Sequence, residues 1–135
     1  MAKRLVLLVS PNEEDHWALI HILRPAGWAV DTAHNCAEAV RSLGIEPAPV
    51  VIVERYLPDG NWKKLRNLLM QMEFPPKLIV TTRTADERLW AEVLNLGGFD
   101  VLTQPFCASE TLRCISAACA VADLVAEETV RSMTA

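Results

Sequence analysis

The residues able to carry chemistry are few, and they sit at matching places. Glu54 closes an all-apolar run, Val50 to Val53, that reads as a buried strand, and the turn Leu57-Pro58-Asp59-Gly60 follows soon after. A carboxylate at such a place is costly unless it is paired or put to use. The other apolar runs also exit on polar residues. Leu5 to Val9 gives way to Ser10-Pro11, the run through Val80 to Thr81-Thr82-Arg83, and the run through Leu102 to Thr103-Gln104-Pro105-Phe106. Carboxylate, hydroxyl and amide groups of this kind suit the holding of an ion or of an anionic group. Glu13, Glu14 and Asp15 are close to Ser10 in sequence, but they fall in the first turn of a helix, where acids are usually solvated and favour the dipole. Cys36, Cys107, Cys114 and Cys119 form no C-x-x-C pair and match no ligand spacing with His16, His21 or His34, so reduced, mostly packed thiols and no structural metal are expected.

The elements that must position these groups alternate. A strand over Arg4 to Val9 leads to a helix from Asn12 to Leu23, with Pro25 to Gly27 ending it. A strand (Trp28 to Thr32), a helix (Cys36 to Leu43) and the strand Val50 to Val53 follow. The third helix is expected from about Gly60 to Met70, the fourth strand from Lys77 to Thr82, and the fourth helix from Asp86 to Leu96. The fifth strand spans Phe99 to Thr103 and the fifth helix Ser109 to about Glu128, somewhat more than the sheet beneath it needs, so its end overhangs. Apolar strands alternating with helices imply a parallel sheet covered on both faces, a doubly wound α/β domain. In such sheets the ligand or chemistry lies beyond the carboxyl ends of the strands, which is where Ser10, Glu54, Thr82 and Gln104 fall.

Composition bounds the rest. At 135 residues and 51% hydrophobic, one compact domain over residues 1–128 is expected, with 129–135 as a tail or the start of a linker. No apolar run approaches the roughly 20 residues that cross a bilayer, so no membrane association and a cytoplasmic location are expected. A formal net charge of −4 offers no basic footprint for direct nucleic-acid binding.

The constellation of apolar strand, acid and Leu57-Pro58-Asp59-Gly60, with Thr82, Gly97 and Gln104-Pro105-Phe106, resembles the receiver domain of two-component response regulators over essentially the whole span from Leu5 to about Leu124. The resemblance implies a flavodoxin-like (βα)5 fold with strand order 2-1-3-4-5, and it favours a cis Gln104-Pro105 bond. It also implies a phospho-acceptor aspartate at the third strand's exit, an acid pair after the first strand that helps hold Mg²⁺, a Thr or Ser after the fourth strand and a Lys before the Pro. Here Glu54 stands at the acceptor position, Ser10 and Pro11 at the acid pair and Gln104 at the lysine; Thr82 matches the family's hydroxyl.

These departures are physically coherent. Mg²⁺ takes hard oxygen ligands, and Ser10 offers only a neutral hydroxyl while Pro11 offers no side-chain ligand. Gln104 can donate to a lone carboxylate without the burden of a buried ammonium. Arg83 and Arg55 are the candidates for a counter-charge at the mouth. Glu54, one methylene longer than aspartate, either reaches toward Thr82 as a partial phosphate mimic or marks a disused site. The leading expectation is a pseudo-receiver, not an enzyme and without cofactor. It would act through a protein partner or a second copy on the face of the fourth helix, fifth strand and fifth helix, where Trp90 and Val101 lie, with an output domain in a longer parent chain. Trp17 is a second candidate contact. The alternatives are a phospho-accepting receiver with a rearranged Mg²⁺-binding acid set, and a small-molecule-binding flavodoxin-like module at the same crevice.

Overall fold

The structure is a computed structural model and describes residues 4–84 and 86–134. Its strands are β1 (Leu5–Val9), β2 (Ala29–Ala33), β3 (Val50–Glu54), β4 (Tyr56–Leu57), β5 (Gly60–Asn61), β6 (Lys77–Thr82) and β7 (Asp100–Thr103). Its helices are α1 (Glu13–Leu23), α2 (Cys36–Ile45), α3 (Trp62–Leu69), α4 (Glu87–Asn95) and α5 (Ala108–Thr134), with a 3-10 turn at Arg24–Ala26. Five strands form one parallel sheet in the order β2-β1-β3-β6-β7. Leaving aside the short antiparallel pair β4 and β5, this is the expected order 2-1-3-4-5 of a flavodoxin-like receiver fold.

The uninterrupted apolar strands divide their side chains between two cores. Leu5, Leu7, Val9, Val51, Val53 and Val80 pack against α2, α3 and α4, whereas Val6, Leu8, Val50, Ile52 and Ile79 pack against α1 and α5. The inner strands β1 and β3 therefore carry apolar residues along nearly their whole length, because alternate side chains point to opposite faces and both faces are covered. Trp62, at the start of α3, is buried in the first of these cores.

Helix ends follow local chemistry. Asn35, Asn61 and Asp86 cap α2, α3 and α4, their side chains accepting from Glu38, Lys64 and both Arg88 and Leu89 backbone N–H groups respectively. Helix α4 stops at Gly97, which adopts a left-handed φ of 85°, and Gly98 follows where a Cβ would sit 2.4 Å from Val93 Cγ1. Asn12 precedes α1 but makes no side-chain cap bond.

The largest departure from expectation is α5. The fifth helix was expected to end near Glu128, with 129–135 as a tail, but it continues to Thr134; Ala135 lies outside the described residues. The physical reason is plain in the sequence: no Gly or Pro follows Pro105, so nothing stops the helix.

The turn after β3 has a second task. Asp59 Oδ1 accepts the N–H of Cys36 at 2.9 Å and Oδ2 that of Ala37 at 3.2 Å, so the loop clamps the first turn of α2. These bonds hold the Asp59 carboxyl below its ordinary range. Asp59→Ala is therefore expected to cost about 1 kcal/mol at pH 7, the usual size for a lost helix cap. The stabilisation exists above the unfolded carboxyl pKa and disappears as pH falls through the lower folded value, so urea melts of the two proteins should converge in acid.

Candidate functional site

The carboxyl ends of β1, β3, β6 and β7 meet at Glu54. Ser10 continues the alternation of Val6 and Leu8, Glu54 continues that of Val50 and Ile52, and both positions look toward α1 and α5. Glu54 is only 8% exposed. Its Oε2 accepts from Thr81 Oγ1 at 3.0 Å and from Gln104 Nε2 at 3.1 Å. The Gln104–Pro105 peptide is cis.

The hydroxyl brought to Glu54 is thus Thr81, and the expected role of Thr82 is corrected. Glu54 is the register partner of Thr81, and partners in a parallel pair present their side chains to the same face. Thr82 points to the opposite face, where its Oγ1 donates to Thr84 O at 3.1 Å and accepts from Thr84 N at 3.3 Å, closing a local turn. Counting the alternation from Ile79, which faces α1 and α5, places Thr81 correctly.

A second correction concerns Asp15. The first turn of α1 was expected to be solvated, and Glu13 and Glu14 are exposed, but Asp15 is buried. Ser10 Oγ donates to Asp15 Oδ2 at 2.7 Å, and Arg83 Nη2 reaches Asp15 Oδ1 at 3.4 Å. Asp15 lies on the buried stripe of α1 with Leu19 and Leu23, at spacings of four, and that periodicity is the signal which identifies it. Beside it, His16 is buried and its Nε2–H donates to Ser10 O at 2.7 Å. Its ring stacks on His34, which is bonded to Glu13 and Glu38. Those two carboxylates, Glu13 first, hold the His34 pKa above its ordinary value.

The electrostatics of the cluster follow from burial. Desolvation pushes the Glu54 carboxyl above its ordinary pKa; the Thr81 bond opposes this, the negative charge of Asp15 adds to it, and Arg83 and Gln104 oppose it further. Of the two expected counter-charges, Arg83 serves the cluster, while Arg55 pairs with Asp86 at 3.2 Å and lies over the Tyr56 ring. Pro11 is exposed and adds no ligand. Among the described residues, no three His, Cys, Asp or Glu side chains come together as a cation-holding group.

The expected partner-face residues lie elsewhere. Trp90 is 52% exposed on α4, Leu94 is exposed beside it, and Val101 on β7 is half-buried against the α2–α4 core. Trp17 is exposed and rests on His21. Burial raises the thiol pKa of Cys36 to about 11 and of Cys114 to about 12, as befits packed cysteines, whereas Cys107 is exposed. No described helix is long and apolar enough to cross a membrane.

Similar proteins agree with this architecture. The transcriptional regulatory protein DpiA of Escherichia coli K12 is 30% identical over 109 residues, covering 78% of this chain and 48% of DpiA. The transcriptional regulatory protein CutR of Streptomyces coelicolor is 27% identical over 107 residues, covering 79% of this chain and 49% of CutR. The chain thus spans about half the length of the curated relatives it matches. The signal receiver domain of an HD domain-containing protein from Pseudomonas fluorescens superposes with a TM-score of 0.84 at 23% identity, covering 94% of each chain. The beryllofluoride-activated NtrC4 receiver domain dimer superposes at 0.81 and 24% identity, covering 88% of this chain and 98% of that one. No protein-family model matches the chain. The fold is that of the response-regulator receiver domain.

The site makes a directional prediction. Because the folded Glu54 pKa is raised, the unfolded chain ionises first as pH rises past about 4.3, and stability falls until Glu54 has ionised too. Glu54→Gln should remove that loss and be more stable than the wild type at pH 7, the difference vanishing in acid. Thr81→Val should cost about 1–3 kcal/mol and move the Glu54 titration further upward, because a hydrogen bond to the charged form is lost. Thr82→Val should leave the titration in place. Carboxyl-carbon NMR titrations together with urea melts read all three.

Proposed function

We propose that the chain is a pseudo-receiver, a signalling module of the receiver fold that is not phosphorylated in the usual way. It acts by protein contact or dimerisation. The observation that carries this reading is the pairing of Asp15 with Arg83 while Ser10 spends its hydroxyl on the same carboxylate. Phosphoryl transfer relies on a cation to neutralise charge developing on the phosphoryl oxygens. The donor set here does not fit Mg²⁺: one carboxylate already faces a guanidinium, the other is bound by a hydroxyl and an amide, and Pro11 supplies nothing. Gln104 in the place of an ammonium gives Glu54 a neutral donor and not a cation, which suits a carboxylate better than a dianionic phosphoryl group.

On this reading Glu54 and its partners fix one state of the β3–β6–β7 exits. Communication is then left to the surface of α4, β7 and α5, where Trp90 and Leu94 are exposed and Val101 is half-buried. A dimer is among the receiver structures that this chain resembles, and the curated relatives are about twice as long. A second copy and an output domain in a longer parent protein, in a cytoplasmic setting without direct nucleic-acid contact, complete the proposal.

One observation favours the alternative of a phospho-accepting receiver with rearranged acids: Asp15 is buried and its charge is felt by Glu54. In that case Asp15 would have to leave Arg83 to serve as a displaced ligand.

Intact-mass measurement after incubation with Mg²⁺ and acetyl phosphate separates the two, with Glu54→Asp alongside. The expected outcome is no phosphoryl adduct on the wild-type protein or on the variant, since restoring the shorter acid restores neither the acid pair nor the lysine. An adduct on the wild type would establish an active receiver with unusual ligands.

A further inference from the structure

The end of the molecule opposite Glu54 holds a cavity with no counterpart in the signalling site. It measures about 610 Å³ and lies at the amino-terminal edge of the central strands, between the loop before β3, the loop before β6 and the stretch 122–127 of α5. That volume falls in the range of small-molecule sites, roughly 300–1,000 Å³. We propose that it binds a small amphipathic organic cation.

The walls are apolar and fixed in place. Pro47, Pro49, Pro75 and Pro76 line the two loops, and a pyrrolidine ring locks φ, so these segments have little freedom to collapse into the space. Lys77 N donates to Pro49 O at 2.9 Å and holds the loops side by side. A site preformed in this way loses little entropy on binding. Phe74 forms an aromatic wall and is left 52% exposed, a large apolar surface that the fold does not cover.

The charges select the sign of the ligand. Glu73, Asp123 and Glu127 line the cavity against the single ammonium of Lys77, an excess of carboxylate at the rim of an apolar space. An aromatic face beside carboxylates suits an ammonium group, which ring quadrupole and carboxylate both attract. An anion of the same shape would meet three like charges. The α5 side of the cavity is supplied by the part of the helix that runs beyond Cys119, its last core residue, so an occupant touches both the sheet edge and the helical extension. This gives the extension a means of responding to a ligand, and the inference holds whatever the state of Glu54.

The test uses three probes with one frame: 2-phenylethylamine, 2-phenylethanol and phenylacetate, titrated into ¹⁵N-labelled protein and read by amide chemical shifts. The amine should produce saturable shifts confined to Glu73, Phe74, Lys77 and residues 122–127, the alcohol weaker ones and the acid none. Asp123→Asn should weaken the amine roughly two- to fivefold, as for loss of one partly exposed counter-charge, and leave the alcohol unchanged. Phe74→Ala should weaken amine and alcohol together, and retained dispersion of the remaining amides certifies the fold of both variants. Equal responses to the three probes, or shifts scattered over the molecule, would overturn the proposal. So would amides of Glu73, Phe74, Lys77 and 122–127 that shift with protein concentration and not with probe, because a second copy would then cover the groove.

Discussion

A carboxylate at the end of the central strand, almost wholly removed from water, must be partnered or made neutral. Glu54 is in that position, and the pocket is arranged around the requirement. Thr81 on β6 and Gln104 just past β7 donate to a single oxygen of it, which ties the exits of β3, β6 and β7 together. Asp15 adds a second buried negative charge from α1. Arg83, on the loop after β6, answers that charge from a side chain still 56% exposed. A pair so open to solvent contributes about 1 kcal/mol or less to stability.

The same arithmetic accounts for a site that differs from the receiver pattern without harm to the fold. The two cores lie on either side of the sheet and use alternate residues of each strand, so neither depends on which polar groups stand at the strand exits. Loop positions are secured separately, by Asp59 on α2 and by Arg55 on Asp86 at the start of α4. The polar groups at the carboxyl edge can therefore vary while the scaffold is retained.

Much of this was legible from residues alone. Continuous apolar runs such as Val50 to Val53 announced a sheet buried on both faces. Glu54 and Gln104 stood out because polar groups at the exits of buried strands must find partners there, and Asp59-Gly60 because a glycine after an aspartate marks a tight turn. What escaped was decided by direction in space. Thr81 and Thr82 are adjacent and chemically identical, and only the register with β3 says which one turns toward Glu54. Asp15 shares a helical turn with two solvated acids, yet it alone falls on the stripe of Leu19 and Leu23. The fifth helix was placed as ending near Glu128, yet no Gly or Pro follows to stop it and it runs on to Thr134. The cavity under α5 depends on three separated segments and has no sequence signature.

The two carboxylates of the pocket already have partners among the chain's own side chains: Thr81 and Gln104 on Glu54, Ser10 and Arg83 on Asp15. The most direct measurement is an amide chemical-shift titration with MgCl₂, first alone and then with beryllofluoride. The account predicts no saturable shift at Ser10, Asp15, Glu54 or Thr81 under either condition. Saturable shifts at those four residues on adding Mg²⁺, deepened by beryllofluoride, would show that Arg83 yields its place to a metal ion and would contradict it.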